Sequence, residues 1–162
     1  MTEEQMDTTK NRKNFNILKR ILFILIQCTW GLGATAIGFL YFLANIRCPH
    51  RFYRGAIETQ WKNGMMGLSL GLFIFTPSCD YDNRHEVDNY NRTKVHEYGH
   101  CFQSILLGPF YLFVGIISTS WAMIPFFYKL RERRNIPYTA CFVESWASHW
   151  GELVTGEEAF WG

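Results

Sequence analysis

Apolar positions along this chain gather into long runs, and the charges lie between them. The polar opening, residues 1–20, carries Lys10, Arg12, Lys13, Lys19 and Arg20 and reads as a short cytoplasmic tail. Residues 21–46, ILFILIQCTWGLGATAIGFLYFLANI, hold no charge. At 1.5 Å per residue they are long enough to cross a hydrocarbon core about 30 Å thick. The run is longer than the apolar core of a signal peptide, and no small-residue cleavage site follows before Arg47. It predicts a transmembrane helix over 21–46, in which Gly31, Gly33 and Gly38 leave room for close helix packing. Residues 47–63, with Arg47, Arg51, Arg54, Trp61 and Lys62, have the aromatic and basic character of a membrane interface. Residues 67–76, GLSLGLFIFT, are too short to span as a helix and stop at Pro77, which predicts a strand or hairpin arm. Residues 77–93 are rich in Asp and Asn and predict a polar loop; they lack the ligand spacing and terminal Glu of a calcium loop. A helix is expected from Thr93, an acceptable N-cap, as far as Gly108-Pro109, which should break or kink it. The uncharged run continues to Tyr128. A basic connection follows, with Lys129, Arg131, Arg133 and Arg134, then a last helix over about 138–150 and a short acidic tail.

Composition changes this picture little. A chain of 162 residues is enough for one domain, here read as a tail (1–20), a transmembrane helix (21–46) and a membrane-associated unit (47–162). The net charge of +2, with no basic stripe interleaved with aromatics, argues against a nucleic-acid partner. Five cysteines with no CxxC spacing argue against a disulfide framework or a cysteine zinc knuckle. The expected fold class is a mainly α-helical membrane protein, integral to the cell membrane, with the lipid bilayer as its constant partner.

The candidate chemistry lies in KVHEYGH, residues 94–100. Residues four apart share one helix face, so His96 and His100 can offer two imidazole nitrogens to one Zn2+ ion. Glu97, next to the first ligand, is placed to act as general base toward a zinc-activated water. A catalytic zinc takes a third protein ligand. Candidates downstream are Glu144, His149, Glu152, Glu157 and Glu158. Glu144 is favoured, because it is the only acid in the apolar segment CFVESWASHW.

HExxH followed some tens of residues later by a helix bearing Glu resembles the gluzincin arrangement of zinc metallopeptidases. The resemblance implies His96, His100 and Glu144 as ligands and Glu97 as catalytic base. Gluzincins carry Asp four residues after the ligand Glu, to support a zinc-binding histidine; Ser148 stands there in this chain. Over residues 67–150 the strings SLGLFIF, HEYGHCFQSILLGPFYLFVGIIS and ESWASHWG more closely resemble a family of small bacterial membrane proteins. Their pattern is HEyGH..QS...GP.YL...G.PS with a later Glu-x-Trp-Ala helix, and Ile117-Ser118 replaces its Pro-Ser. That family has no established function, so the resemblance implies a fold and a site and leaves the substrate open. The aspartate motif of site-2-type intramembrane proteases is missing. So is the longer metzincin pattern, since Gln103 lies where a small residue is needed.

One conflict shapes the expectations. As a straight helix, the uncharged residues 101–128 would be roughly 40 Å long, leaving the histidines and Glu144 on opposite sides of a membrane. Either the segment is a plain second span and Glu144 is no ligand, or it turns back. Gly108-Pro109, Gly115, residues 118–120 and Pro125 are possible kinks, and two arms over 105–117 and 121–128, joined near Ser118, are favoured. The expected function is that of a membrane-associated zinc metallopeptidase acting on a peptide or protein substrate. The alternative is a non-enzymatic membrane adaptor or immunity-type protein with a structural or vestigial metal site.

Overall fold

The computed structural model describes residues 3–62 and 66–161, with side chains from residue 16 onward. The fold is mainly helical with one small mixed sheet. Its N-terminal apolar run is two helices, α1 (Glu3–Thr29) and α2 (Leu32–Ala44). Asn16–Thr29 and Leu32–Ala44 meet at 95°, which corrects the single transmembrane helix expected over 21–46. The bend has a local cause. The Thr29 hydroxyl donates back to the Leu25 carbonyl at 2.7 Å, and the Gly31 amide reaches five residues back to Ile26 O at 3.0 Å. The Gln27 carbonyl at the break accepts the Thr35 hydroxyl across the bend at 2.8 Å. The second arm, 13 residues or about 20 Å, is too short to span alone.

The stretch expected at a membrane interface contains a β-hairpin. β1 (His50–Tyr53) and β2 (Ala56–Trp61) pair antiparallel around Arg54-Gly55. Both turn residues have positive φ, 51° and 108°, as a two-residue type I′ turn requires. The predicted strand or hairpin over 67–76 is a hairpin, β3 (Leu68–Leu70) and β4 (Phe73–Pro77). β4 joins β2 in parallel, giving the order β1-β2-β4-β3. β4 is buried at Phe73, Ile74, Phe75 and Thr76, so it reads as a continuous apolar run. β3 remains an outer strand.

α3 (Arg84–Leu107) begins at Arg84, inside the segment expected to be loop. Its cap is Asn83, whose side chain accepts the His85 amide at 3.1 Å, with Glu86 in the first turn where the helix dipole favours an acid. By length and composition the helical run Arg84–Met123 suffices to cross a membrane. It does not keep to one axis, because Gly108 has φ 53° and ψ −121°, far from helical values. A 3-10 turn (Gly108–Phe110) leads into α4 (Tyr111–Met123), then α5 (Pro125–Arg134), a second 3-10 turn (Tyr138–Ala140) and α6 (Phe142–Thr155).

Several bonds show that α4 folds back. Ser118 Oγ lies 2.6 Å from Tyr138 Oη, Tyr138 sits beside Glu144, and Glu144 lies 3.4 Å from His100. On a straight helix Ser118 would be roughly 27 Å beyond His100. The Tyr111 hydroxyl also donates to Ser69 O at 2.8 Å, bringing the start of α4 against β3. The chain therefore turns at Gly108-Pro109, and the joint expected near Ser118 is corrected. Ser118 stays helical, and a second break falls at Ile124-Pro125. Only glycine takes such a backbone conformation cheaply, and the Trp30 ring fills the space a Cβ at Gly108 would need, 2.3 Å away.

Candidate metal centre

α3 and α6 make the most extensive helix contact in the fold, and small residues make it possible. A Cβ on Gly99 would lie 1.9 Å from the Ala147 carbonyl oxygen, and one on Gly151 would lie 2.3 Å from that of Val95. The backbones thus touch beside the HExxH turn. This close approach carries Glu144, on the first turn of α6, to the face of α3 that bears His96 and His100. Their ring centroids are 4.9 Å apart. Glu144 Oε2 lies 3.1 Å from His96 Nε2 and 3.4 Å from His100 Nε2. All three side chains are buried, with Glu144 only 1% exposed.

The surrounding hydrogen bonds fix the protons. Ser148 Oγ is 2.8 Å from His96 Nδ1, and its single hydroxyl hydrogen is donated to the Phe160 carbonyl at 2.5 Å. Ser148 must therefore accept from His96 Nδ1–H. Gln103 Nε2 donates to the Val143 carbonyl at 2.7 Å, which turns Gln103 Oε1 toward His100 Nδ1 at 2.7 Å as an acceptor. As neutral rings, both imidazoles would present a bare Nε2 lone pair to the Glu144 carboxylate oxygen. Each Nε2 can meet the carboxylate oxygen only through a proton or a metal cation lying between them. Glu144 Oε1 is also buried without a hydrogen-bond partner among the described residues. Burial by itself would raise the Glu144 carboxyl, but the imidazoles of His100 and His96 outweigh it and hold Glu144 below its ordinary range. The His96–His100–Glu144 group can hold a metal ion, with its ligand atoms all within 4.8 Å of one another.

Glu97 faces the same cavity of about 260 Å³, whose walls include His96, His100, Glu144, Tyr138 and the β3 segment. Its carboxylate accepts no hydrogen bond among the described residues. It packs on the bare Cα of Gly67, where a Cβ would lie 2.1 Å from Glu97 Oε1. The other third-ligand candidates are placed elsewhere. His149 is exposed, Glu152 accepts from the Ala159 amide and the Trp161 indole, Glu157 pairs with Arg54, and Glu158 pairs with Arg92. Tyr98 points away from the metal face, donating to Arg54 O at 3.1 Å and packing on Phe23.

Spacing alone could not assign the partners of the two Nδ1 atoms. Gln103 carries a hint, lying three residues after His100 on the same face. The carbonyl of Phe160 has no sequence signal at all. The chain matches no protein-family model, no curated protein and no solved structure.

Proposed function

We propose that this chain is an integral protein of the cell membrane and a zinc metallopeptidase that hydrolyses a peptide or protein substrate. The observation that carries this reading is the convergence of His96, His100, Glu144 and the unpartnered Glu97 carboxylate on one cavity. Two imidazole nitrogens and a carboxylate oxygen suit zinc with one position left open. Bound zinc would polarise a substrate carbonyl and bring the pKa of a water toward neutrality. His96, His100 and Glu144 would hold it. Glu97 would take the proton of the attacking water and pass it to the leaving amine. β3 borders the cavity as an outer strand, which suits an extended substrate adding as a further strand. The Ser69 carbonyl already accepts from Tyr111, so pairing would run toward Gly67. The order of donors along the chain agrees with the gluzincin resemblance.

The membrane reading rests on exposed apolar surface. Leu18, Leu25, Leu40, Phe113 and Ile116 are each more than half exposed, at 62, 56, 65, 61 and 60%. They lie on α1, α2 and α4, and a surface of this character in water would drive aggregation. At the α1–α2 break the Gln27 carbonyl is satisfied internally by Thr35, as lipid demands.

One observation favours a second reading, a non-enzymatic adaptor with a structural metal: the three ligand residues are nearly sealed, at 1 to 6% exposed. The Glu97→Gln variant separates the two. In a peptidase, turnover of a peptide library by the detergent-purified chain falls by about 100-fold or more while metal content stays at the wild-type value. A variant that hydrolyses as fast as the wild type contradicts the assigned base, and a wild-type chain that holds metal but cleaves nothing favours the adaptor.

A further inference from the structure

A serine beside a ligand histidine is ambiguous, because a hydroxyl can either donate to Nδ1 or accept from it. A second partner settles the matter, and here that partner comes from the C-terminal segment. We infer that residues 156–161 are a positioning element of the metal centre: the Phe160 carbonyl and Ser148 together do what a single aspartate would do, holding His96 in the tautomer that offers Nε2 to the ion. The inference rests on the metal-site reading above.

The segment is anchored at several points that converge on this one carbonyl. The Phe160 amide donates to Arg92 O at 3.1 Å, and the Arg92 guanidinium pairs with Glu158 at 2.7 Å. Arg54 pairs with Glu157 at 2.9 Å. Glu152 Oε1 accepts from the Ala159 amide at 3.1 Å and from the Trp161 indole at 2.7 Å, and the Thr139 hydroxyl donates to Trp161 O. The Phe160 ring stands nearly perpendicular to His96, centroids 6.5 Å apart, and walls the cavity. With the carbonyl in place, the Ser148 hydrogen is committed to it and Ser148 Oγ can only accept from His96. With the carbonyl withdrawn, that hydrogen is free to turn to Nδ1. The imidazole proton would then move to Nε2, the atom that faces Glu144, and a ligand position would be lost. An aspartate at position 148 has no hydrogen to misdirect, so it would not need the tail.

The test is a Co2+ titration of the metal-free, full-length chain in detergent, read by the visible absorption of the bound ion. Ser148→Ala is compared with the tail-releasing pair Glu152→Ala and Glu158→Ala, the release confirmed by faster amide exchange over 157–161. Each change alone is expected to weaken cobalt binding about 10- to 100-fold. Combined, they should cost no more than one alone, since both break the same relay. Ser148→Asp should restore binding to within about threefold of wild type even with the tail released. Wild-type affinity in Ser148→Ala overturns the inference. So do losses that multiply on combination, or a released chain that Ser148→Asp fails to rescue, because either marks a general structural role for the tail. A wild-type chain that binds no cobalt removes the metal site itself, which is a distinct failure.

Discussion

Side by side, Glu97 and Glu144 show what burial and partners do to one functional group. Glu144 is held by two imidazoles, whereas Glu97 has no hydrogen-bond partner among the described residues and opens on the cavity. Under the proposed function the first would stay charged beside a cation and the second would exchange a proton. Gln103 supports His100 as Ser148 supports His96, so Gln103→Leu should weaken metal binding by about 10-fold or more in an equilibrium titration. Two glycines give a paired prediction. Gly99→Ala forces a methyl onto the Ala147 carbonyl and should cost about 3 kcal/mol or more in detergent unfolding, with loss of metal. Gly33→Ala, where a Cβ would meet nothing within 4 Å, should be neutral or stabilising by up to about 1 kcal/mol. At this scale the sequence was informative where chemistry is local. His96, Glu97 and His100 follow from helical spacing, and Glu144 stands out as the only acid in an apolar helix. The orientation of each imidazole was not readable, because it depends on carbonyls of Val143 and Phe160 that reach the site only after folding.

Buried polar bonds join the elements around this site. Gln27, fully buried on α1, donates to Cys101 O and accepts from Ser104 Oγ, both at 2.9 Å, tying the first helix to the one that carries the histidines. Gln27→Ala removes one partner from each of these groups and should destabilise the fold by about 1–3 kcal/mol, read as a lower midpoint in detergent-based unfolding. The bend between α1 and α2 escaped a reading by hydropathy, which registers only that residues 21–46 are uncharged. Its cause is the Thr29 back-bond and the Thr35 bridge, and neither changes mean hydropathy. The early start of α3 was hidden by its Asn- and Asp-rich first turns, which favour loops until a cap and a packing surface override that preference. A turn within residues 101–128 was favoured from the sequence only on the condition that Glu144 meets the histidines, with a plain span as the alternative. Its place was not legible, since several glycines and prolines competed, and the Trp30 ring packed at Gly108 belongs to a distant part of the chain.

Taken whole, the molecule sets a buried polar centre beside an unusually apolar exterior. The exposed leucines, isoleucines and phenylalanines of α1, α2 and α4 account for the proposed membrane location, and the short bent helices suit partial insertion better than simple spans. The chain is therefore expected in the membrane fraction after washes at high salt and alkaline pH, and in solution only with detergent. Recovery as a soluble monomer without detergent would contradict that placement. The turn at Gly108 and the α3–α6 contact bring together a His96–His100–Glu144 group that could hold one cation. The measurement that tests it most directly is the metal content of the purified full-length chain, determined alongside Glu144→Ala. The account predicts about one zinc ion per wild-type chain and little or none in the variant, as a three-ligand site demands. A wild-type chain that takes up no metal when zinc is supplied, or a Glu144→Ala chain that holds as much as the wild type, would contradict it.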